Sequence, residues 1–382
     1  MMARRSSRLG PAVVEGRYVH IDALRAVAVM LVVVAHSGFG HIVPGGSGVT
    51  IFFAISGFII TNLQIRELER TGGFRIGSFY QRRLFKIAPP FVVVVLIPSL
   101  IYAMFVPLDL RVLLGQTFFF YNWQRVNGAG EFLPGSNVVW SLAIEEQFYI
   151  VFALLWCSMV AFRWRSAMMW TTTAGAVLLS LGWKFVLHFQ GAEADRIYYG
   201  TDTRLDGIAI GVLAALAYGY WSDGGRRADG LRRFVSGAAA LPIAAVVYLL
   251  TLVVRFDWFR DTIRYPMQAV ATCLVILFGL LAVDGRFVGL LRAVSGYRAV
   301  QVVGLASYSI YLLHAPVIFV IREWMTGLST YAVALVAIPA GTLSGVVLWR
   351  LIELPLDPLR KRIGRPKSGS AFSEVTGEVR RE

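Results

Sequence analysis

Ten apolar runs separated by polar connections account for most of the chain: 21–37, 48–64, 87–107, 139–161, 167–188, 204–221, 236–254, 265–283, 299–320 and 330–351. Each reaches or approaches the roughly 20 helical residues needed to cross a bilayer. The pattern predicts an all-α polytopic membrane protein of about ten transmembrane helices. It divides the chain into an N-terminal segment (1–20), a transmembrane domain (21–352) and a polar tail (353–382) whose lack of apolar periodicity predicts disorder.

The basic residues orient these spans. With the N-terminus inside, 27 of the 37 Lys and Arg fall in cytoplasmic connections and seven in outer ones, while Arg25, Lys184 and Arg204 lie within spans. Positive residues accumulate on the cytoplasmic side, so both termini are expected there and the protein is expected in the inner (plasma) membrane. An apolar content of 57% and a charged content of 16% exclude a soluble surface. The net charge of +14 then reads as loops facing anionic lipid, and nucleic acid is not an expected partner. Cys157 and Cys273, both within apolar runs, read as small core residues. Arg4, Arg5 and Arg8 before an apolar run mimic a signal peptide, but no small-residue cleavage pattern precedes that run, so an uncleaved first span is expected. Segment 108–138, rich in Phe, Tyr, Trp and Gly, fits an aromatic lid or re-entrant element and an interfacial aromatic belt equally well.

Polar residues inside the runs carry the chemistry, because charges within a spanning helix are costly and rarely idle. The first run holds Asp22, Arg25 and His36. Eleven positions separate Arg25 from His36, which on a helix means about 16 Å along the axis and about 20° of rotation, so they share a face. Asp22, three residues before Arg25, is placed to pair with it. The fourth run, VVWSLAIEEQFYIVF, carries Glu145 and Glu146, which point about 100° apart; one of them, Glu145, is assigned to face His36 at a similar depth. A carboxylate beside an imidazole supports a general base, though a pair that merely joins two helices explains the same spacing.

Elsewhere the polar residues admit two readings. Arg204 and Asp206 open the sixth run, as interface charges or as walls of an outward-facing cavity. Arg82, Arg83 and Lys86 precede the third run, as a positive-inside anchor or as a site for the phosphates of an anionic donor. Ser56–Gly57 lacks the flanks of a nucleophile elbow and reads as a close-packing site. In the ninth run Ser307, Tyr311 and His314 share a face, with His314 a hydrogen-bonded structural residue or a second functional histidine. His20, His41 and His188 flank spans and read as solvated or interfacial. There is no metal-ligand spacing, no P-loop and no H-x4-D after His36, which argues against a metalloprotease, an ATP-driven pump and a glycerolipid acyltransferase.

Taken in order, these motifs resemble a known family. Arg25 and His36 with ten residues between them, FFAISGFII around Ser56, the Arg pair before Pro89, WSLAIEEQFY from Trp140, TRLDGIAIG from Arg204, SYSIYLLHAP from Ser307 and IELPLDP near Glu353 are similar to the integral-membrane acyltransferase family 3, bacterial ten-span enzymes that acylate extracytoplasmic carbohydrates. The resemblance implies an O-acyltransferase that moves an acyl group, most often acetyl, from a cytoplasmic acyl-CoA co-substrate to a carbohydrate hydroxyl, with no permanently bound cofactor. Arg25 and His36 are its expected essential residues. Asp22, Arg25, Arg82, Arg83 and Lys86 are expected around the donor, and Glu146, Arg204, Asp206, Tyr311 and His314 around the acceptor cavity. Surface-polysaccharide assembly proteins are possible partners of such an enzyme. A glycan or solute transporter remains the competing class, and succinyl transfer or a macrolide acceptor remain variants within the family. Many members continue into an extracytoplasmic hydrolase-like domain; here about thirty polar residues follow the last run, so transfer is expected to be completed by the membrane domain or by a partner.

Overall fold

The computed structural model of the protein describes residues 13–14, 17–161, 167–226 and 228–363. Ten helices correspond in order to the ten apolar runs: α1 (Val19–Phe39), α2 (Gly45–Thr71), α3 (Ile76–Tyr102), α4 (Ser136–Ala161), α5 (Ala167–Phe189), α6 (Ala194–Ser222), α7 (Ala240–Val253), α8 (Arg264–Leu281), α9 (Ser307–Trp324) and α10 (Thr330–Arg362). Eight are long and apolar enough to cross a membrane on their own. The runs predicted at 236–254 and 299–320 are each bent: Asp229–Ser236 meets α7 at 81°, and Arg298–Leu305 meets α9 at 76°. Among the described residues the only strands are Val13–Val14 and Arg17–Tyr18, a two-residue antiparallel pair.

Glycine decides how close the central helices come. A Cβ on Gly57 would stand 2.0 Å from the Ile208 carbonyl oxygen, and one on Gly211 would stand 2.1 Å from that of Ala54, so α2 and α6 cross backbone to backbone. This is the small-residue interface that membrane helices use in place of a hydrophobic driving force. It gives Gly57 the packing role expected for it. Around this pair, α1 buries Ala28, Val29, Val32 and Val33, and α4 buries Ala143, Ile144 and Phe152. The peripheral helices instead expose large apolar side chains, including Val92 and Val93 on α3, Leu178 and Leu179 on α5, and Leu335 and Leu343 on α10. Exposed apolar bands of this kind suit helices that face lipid.

Segment 108–138 folds back onto the bundle through two short helices, Leu110–Thr117 and Tyr121–Val126. Asn122 anchors it: its amide donates to the Tyr199 carbonyl (3.0 Å) and to Thr201 Oγ1 (2.9 Å), and it accepts from Gln147 Nε2 (2.9 Å). That buried network favours the lid or re-entrant reading, although Phe118 and Phe120 stay exposed. At the other end, the boundary drawn at 353 falls inside α10, where Leu354–Arg362 is helical. Most of the predicted tail (364–382) and most of the N-terminal segment (1–12, 15–16) lie outside the described residues.

Candidate active site

α1 changes its winding where its most reactive side chain stands. Residues Ala35–Phe39 form a π-turn that ends in Gly38, at φ 112°. Such turns insert a residue into the helix and recur at functional sites. The turn brings His36 to an exposed position, with its Nδ1 2.8 Å from Nε2 of His314 on α9 and the two rings stacked at 5.1 Å. His314 is fully buried, and its Nδ1 lies 3.0 Å from the Ile310 carbonyl oxygen. A carbonyl only accepts, so His314 carries its proton on Nδ1 and offers a lone pair at Nε2. His36 must then donate from Nδ1, which leaves its own Nε2 as a free base. The predicted partner Glu145 is not at this ring: its Oε2 accepts from the Tyr149 hydroxyl at 3.4 Å, and Ser56 lies beside both residues. The histidine pair replaces the expected histidine–carboxylate pair because α9, not α4, presents a polar group at that depth.

Tyr311, one turn before His314, is buried and joins α9 to α4. Its hydroxyl bonds Ser141 Oγ (2.7 Å) and donates to the Val138 carbonyl (3.0 Å). Ser307, Tyr311 and His314 are all buried, as their shared face predicts.

A second polar layer lies toward the N-terminal end of α1, which carries Arg25. Arg83 pairs with Glu146 at 2.8 Å and covers the Tyr149 ring at 3.2 Å. Lys86 pairs with Glu353, which also accepts from Ser309 Oγ at 2.5 Å. Arg82 pairs with Glu67 at 2.9 Å. The basic cluster expected to be free for a donor is therefore already matched by carboxylates. Arg25 is different. Its charge faces Asp22, Glu145 and Lys86, yet among the described residues it forms no ion pair, and its buried Nε has no hydrogen-bond partner. The predicted Asp22–Arg25 bond does not form; Asp22 Oδ2 is likewise buried without a partner. α9 links the two layers, because Tyr308 and Ser309 stand below His314 by about 9 and 7.5 Å of helical rise.

Arg204 and Asp206 are neither interface charges nor walls of an open cavity, being 2% and 1% exposed. Asp206 forms a buried ion pair with Lys184 of α5. Arg204 donates to Thr50 Oγ1 (3.0 Å) and stacks 3.7 Å above the Tyr265 ring. Glu146 belongs to the second polar layer, paired with Arg83, rather than to an acceptor cavity. His20 is buried and donates from Nε2 to the Ile276 carbonyl at 3.2 Å, against the interfacial position expected for it. His41 is exposed, and His188 bonds Asp261 at 2.9 Å.

A family model described as an acyltransferase domain matches residues 18–352, from the start of α1 into α10 and one residue short of Glu353. The chain belongs to this acyltransferase family. It is 29% identical over 352 residues to the O-acetyltransferase OatA of Staphylococcus aureus strain NCTC 8325, covering 88% of this chain and 56% of that protein. It is 28% identical over 313 residues to the peptidoglycan O-acetyltransferase OatA of Listeria monocytogenes, covering 78% of this chain and 49% of that protein. A putative O-acetyltransferase of S. aureus strain COL is 27% identical over 347 residues, covering 88% and 56%. The chain thus spans about half the length of the curated relatives it matches. No solved structure matches it.

Several residues of this acyltransferase's polar layers escaped the sequence reading. Glu353 sits in the IELPLDP motif but received no role; an acidic residue inside a run otherwise ending in Leu and Ile was the available signal. Tyr149, four residues after Glu145, was readable as its helical neighbour. Arg322, which touches the Gly38 turn, was counted only as an outer charge; its signal was its place eight residues beyond His314 on the same helix.

Proposed function

We propose that the protein is a multi-pass O-acetyltransferase of the bacterial plasma membrane, with both termini cytoplasmic. It takes an acetyl group from a cytoplasmic acyl-CoA donor and esterifies a hydroxyl of an extracytoplasmic or lipid-linked carbohydrate. The relatives' names support acetyl as the group and a carbohydrate as the acceptor class. The observation that carries the reading is the histidine pair, which leaves an unprotonated His36 Nε2 at an exposed position toward the outer end of α1.

In this reading His36 Nε2 removes the proton of the acceptor hydroxyl as its oxygen attacks the thioester carbonyl. The tetrahedral adduct collapses with cleavage of the C–S bond. The ester forms, the thiolate leaves, and the proton held on Nε2 passes to sulfur. His314 fixes the His36 ring through the Nδ1 bond and keeps its lone pair aimed at the acceptor. Arg25, unpaired in the cytoplasmic layer, takes the anionic part of the donor, while the acyl arm extends along α9 toward His36. Direct transfer needs no nucleophile other than the acceptor.

Proteoliposomes holding the purified protein, with acetyl-CoA labelled in the acetyl group outside or inside and an oligosaccharide acceptor, test this. Label recovered as a base-labile ester on the acceptor supports transfer. Movement of unmodified acceptor across the bilayer without ester formation makes the protein a transporter instead.

A further inference from the structure

We propose that Arg322 forms an anion-binding subsite at the outer mouth beside His36, selecting acceptor glycans that carry a carboxylate or a phosphate close to the hydroxyl to be acylated. This rests on the acceptor reaching His36 from the outer side, as in the function proposed above.

Arg322 lies on α9, about 12 Å of helical rise beyond His314. Its side chain reaches the turn that carries His36: a Cβ added to Gly38 would stand 3.3 Å from Arg322 Nη2 and 2.4 Å from Thr330 Cγ2. Its charge acts directly on the His36 ring. The guanidinium is nevertheless free to do something else. Arg322 is exposed, and among the described residues it makes no hydrogen bond or ion pair.

The contrast with the rest of the molecule is informative. Arg82, Arg83, Lys86 and Lys184 pair with carboxylates on other helices, and Arg196 with Asp202 within α6, so their charges are already matched. Arg322 has none, although it stands within two residues' reach of the candidate base. A guanidinium offers a planar fork that matches a carboxylate or phosphate in bidentate fashion, which a neutral hydroxyl cannot reproduce. An acceptor approaching His36 passes this fork. An acidic substituent would be gripped there while a neighbouring hydroxyl lies at Nε2, and a neutral analogue would lose that grip.

The test uses the full chain in lipid nanodiscs, with a glucuronic-acid-containing disaccharide, its methyl ester and a phosphorylated disaccharide as probes. Binding is followed by calorimetry, and transfer by label from acetyl-CoA. The wild type is expected to bind the two acids about tenfold more tightly than the ester, the value of one charge-assisted bond. R322Q should abolish that ratio and R322K should keep only part of it, because the charge survives and the fork does not, with unchanged melting temperatures showing that both fold. Equal binding of acid and ester by the wild type, no binding of any probe, or a preserved ratio in R322Q overturns the subsite. Loss of turnover in R322Q with the acid preference intact also overturns it, and assigns the cation to the reacting centre. A binding preference abolished by R322Q without any ester formed leaves the subsite standing and removes the acyl-transfer reading, so the two failures are distinct.

Discussion

His36 Nδ1 and His314 Nε2 are 2.8 Å apart, and the Ile310 carbonyl behind His314 sets the direction of every proton in the pair. The base and its orienting group come from helices 278 residues apart in sequence. Removing the base is expected to lower acyl transfer by about 10²–10⁴-fold, the usual contribution of general base catalysis. His314→Ala keeps the base and loses only its orientation, so a smaller fall of about 10–100-fold is expected. Initial rates of labelled-ester formation by H36A and H314A, at matched protein levels, check the order; a larger loss in H314A than in H36A would exchange their roles.

Arg25 is the counterpart at the N-terminal end of α1. Its buried Nε has no partner, although the charges of Asp22 and Glu145 are near, which leaves the guanidinium for the donor in the proposed function. Arg25→Ala is expected to raise the apparent KM for acyl-CoA by about 10–100-fold, with Arg25→Lys between it and the wild type because the charge survives and the fork does not. Donor and acceptor titrations in the same membranes decide it. A shift confined to the acceptor KM would move Arg25 to the other substrate.

The spans were legible because each membrane helix must satisfy its own backbone and show lipid an apolar surface, which writes it into the sequence one run at a time. Arg25 and His36 were legible for the same reason, as polar residues where lipid or packed protein should be. Their partners were not. Glu145 was matched to His36 by its place in the run alone, and the packing of α4 sets it beside Tyr149, Arg83 and Arg25 instead. The π-turn at Ala35–Phe39 adds a further shift that no periodicity reveals, because the apolar run gives out within it, at His36, Ser37 and Gly38. The bends before α7 and α9 were hidden in the same way, since an apolar run looks alike whether it crosses straight or turns at its end.

Gly38 brings α1 against Arg322 of α9 and Thr330 of α10. Its φ of 112° is open to glycine and strained for any other residue, and a Cβ there would strike Thr330 and Arg322. Gly38→Ala is expected to cost about 1–3 kcal/mol of local strain, which the π-turn relieves by turning His36 away from His314. Activity should therefore fall further than the melting temperature does. Adding Thr330→Ala removes the clash and leaves the backbone strain, so partial recovery of turnover is the expected result. Full recovery would show that the positive φ is dispensable.

Lys184 and Asp206 are each 1% exposed and are held by one another, joining α5 to α6 away from both polar layers. Two charges taken out of solvent gain little net stability as a pair, but breaking the pair strands one of them. Lys184→Met alone is expected to destabilise the protein by about 3–5 kcal/mol, because Asp206 loses its only cationic partner among the described residues. The double variant Lys184→Met with Asp206→Leu removes both charges and should recover most of that loss. Thermal unfolding of the three proteins in one detergent measures it. Acyl transfer by the refolded double variant near the wild-type rate would assign this pair to the scaffold, whereas a stable but inactive double variant would draw Asp206 into the chemistry after all.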